Sequence, residues 1–286
     1  MDAAEVLAPA KVNLTLHVVG RGADGYHLLD SLVVFADLGD RVTVRRASGC
    51  SLSVDGPLAA AAPPGETNLA LRAARHAGAA VQVDLWKALP AGAGIGGGST
   101  DAAAVLRAVA AIDGIAPRDG LPLGADVPVC AAACPTRMRG VGERLDPVAV
   151  PPVPLVLVWP GVPVATSEVF ARRVPVDGAP MPDRLPAWNT TAELAAWLDT
   201  QRNDLETAAT ALAPGIGAAR AALAAERGCL LARMSGSGST VFGIFADDAA
   251  ASAAARAIAA AEPGWWVQAT RTLEAPPPVQ EKRLTT

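Results

Sequence analysis

The chain has little lysine. Among 24 basic residues only Lys11, Lys87 and Lys282 are lysines, and the rest are arginines. Tyr26 is the single tyrosine, and asparagine stands only at Asn13, Asn68, Asn189 and Asn203. A chain that uses Arg almost throughout keeps Lys where a compact point charge is required. Cysteine is scarce too: Cys50, Cys130, Cys134 and Cys229. Cys130 and Cys134 form C-x3-C, but without a second pair or a nearby histidine they read as buried thiols, not a metal site. No run of about 18 apolar residues is free of charge and proline, so no membrane span is expected. The first residues lack the basic start, apolar run and small-residue cleavage site of a signal peptide, which makes a cytoplasmic location the expectation. A net charge of −4 excludes the broad basic face that nucleic-acid binding needs. It leaves room for a local basic pocket holding an anionic small molecule. A length of 286 residues suffices for two domains.

AKVNLTLHVV at 10–19 alternates Val12, Leu14, Leu16 and Val18 with other residues and reads as a strand. LLDSLVVFADL and DRVTVRRA read as two further strands, and CSLSVDG as another. NLALRAARHAG is a helix stopped by Gly78, and AVQVDLWKAL a strand leading to Pro90. TDAAAVLRAVAAID has strong helix propensity, with Ser99 or Thr100 as its cap and Asp101 in its first turn. The proline-rich VPPVPLVLVWPGVPV marks a joint near 149, dividing the chain into domains 1–149 and 150–286. Beyond it come a surface loop (RRVPVDGAPMPDRLPAW), helices, a strand–glycine turn–strand unit (CLLARMSGSGSTVFGIFAD) and a last strand, WWVQATRTL. The tail from Pro276 reads as loose. Runs of strands followed by mixed elements indicate an α+β fold.

The most informative stretch is LPAGAGIGGGSTDAAAVLRAV at 89–109. Gly92, Gly94 and Gly97 spell G-x-G-x-x-G, but the loop is not at a first β-α turn and no second strand with an acidic end follows. That excludes a dinucleotide fingerprint. The Walker A pattern fails as well, since no Lys precedes Ser99. The physical logic of anion binding survives. Glycines let backbone N–H groups converge on a phosphate, the helix after them adds its free N–H groups and dipole, and Ser99 and Thr100 add hydroxyls. MSGSGSTVF at 234–242 supplies a second glycine turn, placed to face the first.

APAKVNLTLHVVGRGADGYHLLDSL, LPAGAGIGGGSTDAAAVL and MSGSGSTVF together resemble the three ordered motifs of the GHMP kinases, the superfamily of galactokinase, homoserine kinase and mevalonate kinase. The DGYH element, LGADVPV, RGVGERL and PGVPVATSEVF resemble the branch whose acceptor is 4-diphosphocytidyl-2-C-methyl-D-erythritol, in the non-mevalonate route to isoprenoid precursors. The likeness spans residues 7–245. It implies a two-domain fold, an N-terminal ATP-binding domain and a C-terminal substrate domain with the active site between them. It also implies transfer of the γ-phosphoryl of ATP, with Mg2+, to the acceptor's 2-hydroxyl.

Carried over residue by residue, the resemblance makes Lys11 and Asp126 the catalytic pair. Gly92, Gly94, Gly96, Gly97, Gly98, Ser99 and Thr100 become the phosphate loop, with Ser99 a candidate Mg2+ ligand. Asn68 and Lys87 fall near the adenine. Asn13, Tyr26, His27 and Phe170 fall on the acceptor, the aromatics against its cytosine, and Ser235, Gly236 and Gly238 in the second glycine turn. From the residues alone, Asp126 before Val-Pro is also a good helix N-cap. The segment between the glycine helix and Asp126 is short for the pattern, so a helix near the site is expected to be truncated. The remaining alternatives are a GHMP kinase for another alcohol and a non-catalytic nucleotide sensor of the same fold.

Overall fold

The structure is a computed structural model that describes residues 2–23, 25–174 and 178–282. The N-terminal half runs β1 (Ala3–Asn13), β2 (His17–Arg21), β3 (His27–Arg46), β4 (Ser51–Asp55), α1 (Leu69–Ala77), β5 (Val81–Trp86), α2 (Gly97–Asp113), α3 (Val127–Ala132), β6 (Thr136–Gly140) and β7 (Arg144–Pro147). The C-terminal half runs β8 (Pro154–Trp159), α4 (Thr166–Arg172), α5 (Thr191–Asp199), α6 (Glu206–Leu212), α7 (Gly215–Ala225), β9 (Cys229–Met234), β10 (Val241–Phe245), α8 (Asp248–Ala261), β11 (Trp266–Arg271) and the short β12 (Gln280–Glu281).

β3 is the spine of the first sheet. It pairs antiparallel with β1, β2, β5 and β6, while β4 joins β5 in parallel. The second sheet has the order β11-β8-β10-β9, antiparallel throughout. Two largely antiparallel sheets with helices packed on them make an α+β fold. The proline-rich joint lies between the last long pairing of the first sheet and the opening strand of the second.

Three expectations change. The strand expected over 10–19 is broken, since β1 ends at Asn13 and β2 begins at His17. β3 is one strand, not two, because Gly39 is not a turn. It pairs with Pro9, and a Cβ there would lie 2.7 Å from the Ala8 carbonyl carbon. Glycine here permits close approach of two backbones, beside a bulge between Pro9 and Lys11. The tail is also not loose over its described part. β12 pairs with β1, Val279 packs on the first core, Arg107 donates to the Pro277 carbonyl, and Lys282 pairs with Glu5. Residues 283–286 lie outside the described residues.

Three apolar clusters hold the architecture. The first lies between the outer half of the first sheet (Val6, Phe35, Val42, Leu85) and helices α1–α3, where the alanines of α2 let the helix lie close. The second joins the two sheets: Val12, Leu14 and Val34 pack with Leu155, Leu157 and Phe242. The third fills the space under α4 and α6–α8, around Val156, Ile216, Leu223 and Phe245. Each fully buried Leu or Phe contributes about 1.5–3 kcal/mol. The middle cluster welds the sheets into the frame that carries the site. Among the described residues no single helix is long and apolar enough to cross a membrane.

Candidate active site

The two glycine turns meet. The first runs from the end of β5 to the start of α2, with Gly94 and Gly96 at φ of 75° and 69°. The second joins β9 to β10 through Ser235–Thr240. The Thr240 amide donates to the Ala93 carbonyl at 3.0 Å, and the Ser235 hydroxyl donates to Gly94 O at 3.4 Å. β1 holds the first turn from the other side, its Lys11 amide donating to Ile95 O at 2.9 Å. A loop that would otherwise be mobile is thus fixed by three strands from two sheets.

α2 begins at Gly97, with Gly96 in the N-cap position, so neither Ser99 nor Thr100 is the cap. The Thr100 hydroxyl instead donates back to Gly97 O at 2.9 Å and Gly96 O at 3.2 Å, which commits it to the loop. The first N–H groups of any helix lack intrahelical acceptors. Those of α2 open on a cleft of about 350 Å³, lined by Gly92, Gly94, Gly96, Gly97, Gly98 and Ser99 on one side and by Gly236 and Ser237 on the other. A Cβ on Gly96 would stand 3.1 Å from Lys11 Cβ, so the backbone itself must face what binds. Ser99 keeps its place on the cleft wall.

Lys11 lies against this loop at Gly96 and lines the cleft with Asp126, Lys11 Nζ standing 2.9 Å from Asp126 Oδ2. Burial by itself would weaken the Lys11 ammonium. The charge of Asp126 and its hydrogen bond outweigh that, and the pKa stands above the ordinary lysine value. Asp126 occupies the N-cap position of α3, yet its carboxylate makes no capping hydrogen bond. The side chain turns to Lys11 instead. The short connection before it, a single 3-10 turn at Leu121–Leu123, still delivers Asp126 to the cleft.

Asn13 lines the cleft one pleat beyond Lys11. Its amide Nδ2 donates to Ser31 Oγ at 2.8 Å, and its backbone N–H donates to Ser235 Oγ at 3.0 Å. Oδ1 is buried and has no hydrogen-bond partner among the described residues. It does not bond Lys11. An unpaired buried acceptor costs about 1–3 kcal/mol, so Oδ1 is a position the fold leaves unsatisfied beside the second glycine turn.

At the far end of the cleft His27 and Phe170 stack on each other, centroids 4.5 Å apart at 22°. They therefore form one aromatic wall with no room for a base between them. Leu16 and Leu29 continue this apolar end. Tyr26 stands 68% exposed on the turn before β3, beside His27. That turn is held by Gly22 N–H donating to Tyr26 O and by Arg21 Nε donating to Gly25 O. Asp24 of the same motif lies outside the described residues.

The two residues assigned to the adenine region use their side chains elsewhere. Asn68 caps α1, accepting from Ala70 N–H at 2.9 Å and donating to Pro63 O. Lys87 is buried at the base of the glycine loop, its ammonium bonded to Asp40 and, at 2.8 Å, to Asp101. Asp101 is therefore not a first-turn dipole partner but a hydrogen-bond partner of the Lys87 ammonium. Burial pushes its carboxyl up to about 8, against the pull of Lys87 and with the help of the Asp40 charge.

Three functional candidates escaped sequence reasoning. Ser237 and Thr166 line the cleft and bond each other at 2.8 Å, linking the second glycine turn to α4. Asn203 holds that turn from below, donating to Met234 O and Gly236 O while accepting from Leu205 N–H. The rarity of asparagine was the available signal for Asn203. Cys130 is a buried free thiol, and Cys134 a half-buried one.

The family model for the GHMP kinases N terminal domain matches residues 67–132, and that for GHMP kinases C terminal matches 186–264. A 4-diphosphocytidyl-2-C-methyl-D-erythritol kinase of Cereibacter sphaeroides is 57% identical over 274 residues, covering 93% of this chain and 98% of the relative. A crystal structure of 4-(cytidine 5'-diphospho)-2C-methyl-D-erythritol kinase superposes with a TM-score of 0.73 at 38% identity, covering 94% of this chain and 98% of that one. A homoserine kinase from Cytophaga hutchinsonii reaches a TM-score of 0.69 at 20% identity over 98% of each chain, which shows a shared fold alone.

Proposed function

The chain belongs to the GHMP kinases, and on that premise we propose that it transfers the γ-phosphoryl group of ATP to the 2-hydroxyl of 4-diphosphocytidyl-2-C-methyl-D-erythritol. The observation that carries this reading is the Lys11–Asp126 pair lining one cleft together with the glycine loop and the start of α2. Phosphoryl transfer asks the protein mainly for positioning and charge stabilisation.

In the proposed reaction the acceptor oxygen forms a bond to the γ-phosphorus as the bond to the β-γ bridging oxygen breaks. The hydroxyl proton passes to Asp126, whose carboxylate is open to the cleft. The Lys11 ammonium orients that carboxylate and offsets charge on the moving group. Asn13, on the cleft wall beside Lys11, helps to position the acceptor. The loop at Gly92–Ser99 binds the triphosphate through its amides and the N-terminus of α2. Mg2+, which favours phosphate and water oxygens, neutralises phosphate charge when bound, with Ser99 as its candidate protein ligand. The cytosine packs at the His27–Phe170 end, with Tyr26 at its rim. A cytoplasmic location goes with ATP as donor.

The test is an assay with ATP, Mg2+ and the cytidylated acceptor, run beside homoserine, mevalonate and galactose. ADP and phosphorylated product from the cytidylated acceptor alone support the reading; turnover of another alcohol moves the protein to a different branch. Asp126→Asn should bind ATP as the parent does and lose at least about 100-fold in kcat. Parent-like turnover by that variant would remove Asp126 as the base.

A further inference from the structure

The phosphate loop is closed at its base by a buried ionic clip. Asp40, in the middle of β3, accepts from the amides of Ala88 and Leu89 through Oδ1, at 2.6 and 2.9 Å. Those residues open the segment that leads into the glycine turn. Its Oδ2 bonds the Lys87 ammonium, and that ammonium bonds Asp101 Oδ2 on α2. Asp101 lies just past the turn. One Asp40–Lys87–Asp101 chain therefore ties both ends of 88–101 to a central strand. All three side chains are buried. Gly97 lies directly over the clip, and a Cβ there would be 3.5 Å from Nζ.

Stability does not require such an arrangement. A buried ion cluster is often no more stabilising than packed apolar side chains of the same volume. One ammonium also serves two aspartates, and Asp101 Oδ1 has no hydrogen-bond partner among the described residues. What the clip supplies is geometry. Its directional bonds hold the amides at the loop's start and the first turn of α2 at a set spacing, which apolar packing would not specify.

We infer that Asp40, Lys87 and Asp101 are positioning residues for nucleotide binding, clipping the two ends of the glycine loop so that its amides stay aimed at the phosphates. This rests on the reading that the loop holds the phosphates of ATP. If opening the clip leaves the competent loop about a tenth of its former population, apparent affinity falls about tenfold.

The informative variant is Asp101→Leu. It leaves a one-to-one Lys87–Asp40 pair, so no charge is stranded and folding is preserved. The probes are MgADP binding by calorimetry, hydrogen exchange of the amides at 91–100 in the protein without nucleotide, and separate KM values for ATP and the acceptor. The expected result is a roughly tenfold weaker Kd for MgADP with faster exchange confined to 91–100. The acceptor KM should stay within about twofold, and Asp101→Asn, which keeps an oxygen for the ammonium, should restore most of the loss. Parent-like ADP binding and exchange in Asp101→Leu would overturn the inference. So would equal losses in both KM values with a lowered unfolding midpoint, the mark of a merely structural role. If the parent itself does not bind MgADP, the reading of the loop fails instead, and the exchange measurement still decides whether the clip orders it.

Discussion

Replacing Gly94 by alanine tests whether the two glycine turns fix each other. Gly94 has a φ of 75°, and a Cβ there would meet Gly238 at 2.7 Å from its carbonyl carbon and 2.9 Å from its nitrogen, with the carbonyl oxygen closer still. Backbone atoms cannot swing aside as a side-chain tip can. Restoring ordinary contact of about 3.5 Å requires the turns to separate by about 1 Å. The left-handed φ adds about 1–2 kcal/mol for a residue with a Cβ. With overpacking of about 1–3 kcal/mol the total is near 3 kcal/mol, a drop in Tm on the order of 10 °C. Separating the turns also displaces the phosphate cradle from Lys11 and Asp126, and a misplacement of about 1 Å costs about 100-fold in rate. The assay is coupled ADP release under saturating ATP and acceptor, beside a thermal melt. Gly97→Ala is the matched control. Its Cβ would meet Lys87 Nζ at 3.5 Å, Asp40 Oδ2 at 3.8 Å and Leu89 Cβ at 3.9 Å, all ordinary contacts, and it points away from the cleft. It should stay within about threefold of the parent in kcat. If Gly94→Ala keeps the parent's kcat and Tm, or if both variants fall equally, the mutual bracing of the turns is wrong.

Phe170→Ala should raise the KM for the cytidylated acceptor by about tenfold, as expected for loss of one stacking face, and leave the ATP KM unchanged; a change confined to the ATP KM would misplace the nucleobase end. Asn203→Ala strands the carbonyls of Met234 and Gly236 and the amide of Leu205. It should lower stability by about 2–3 kcal/mol in urea titration, and Asn203→Asp, which sets an ionised oxygen against those two carbonyls, by at least as much. His17 Nδ1 faces Ala179 O, and its Nε2 accepts from Arg202 N–H, which fits only the neutral ring. Burial, then the Arg202 charge, lowers its pKa below 6.5. The unfolded chain therefore binds the proton first, and stability contributed by neutral His17 is lost as pH falls through 6.5 toward the lower folded value. His17→Gln should flatten the fall in Tm over that window; an unchanged slope would assign the pH dependence to another group.

Much of the candidate site was legible in the sequence, in that many of the residues it singled out line one cleft. Glycine at 92, 94, 96–98, 236 and 238 was readable because glycine in such runs has one physical use, backbone exposure and left-handed turns. The rarity of Lys11, Asn13 and Tyr26 drew attention to them, and the period-two pattern of β1 put Lys11 and Asn13 on one face, where both line the cleft. The kinase motifs are local strings, so a resemblance could carry them before any coordinates. Tertiary structure alone decided the rest. The same carboxylate type caps nothing at Asp126, reaches Lys11 across 115 residues, and at Asp101 joins Lys87 instead of serving the helix dipole. LLDSLVVFADL and DRVTVRRA read as two strands, and they are one because the backbone of Ala8 lies against Gly39. The tail looked loose until β1 offered it an edge. Periodicity and propensity report what a residue's neighbours along the chain require. Ion pairs, close backbone approach and edge pairing depend on residues brought together by packing, and nothing local encodes which they will be.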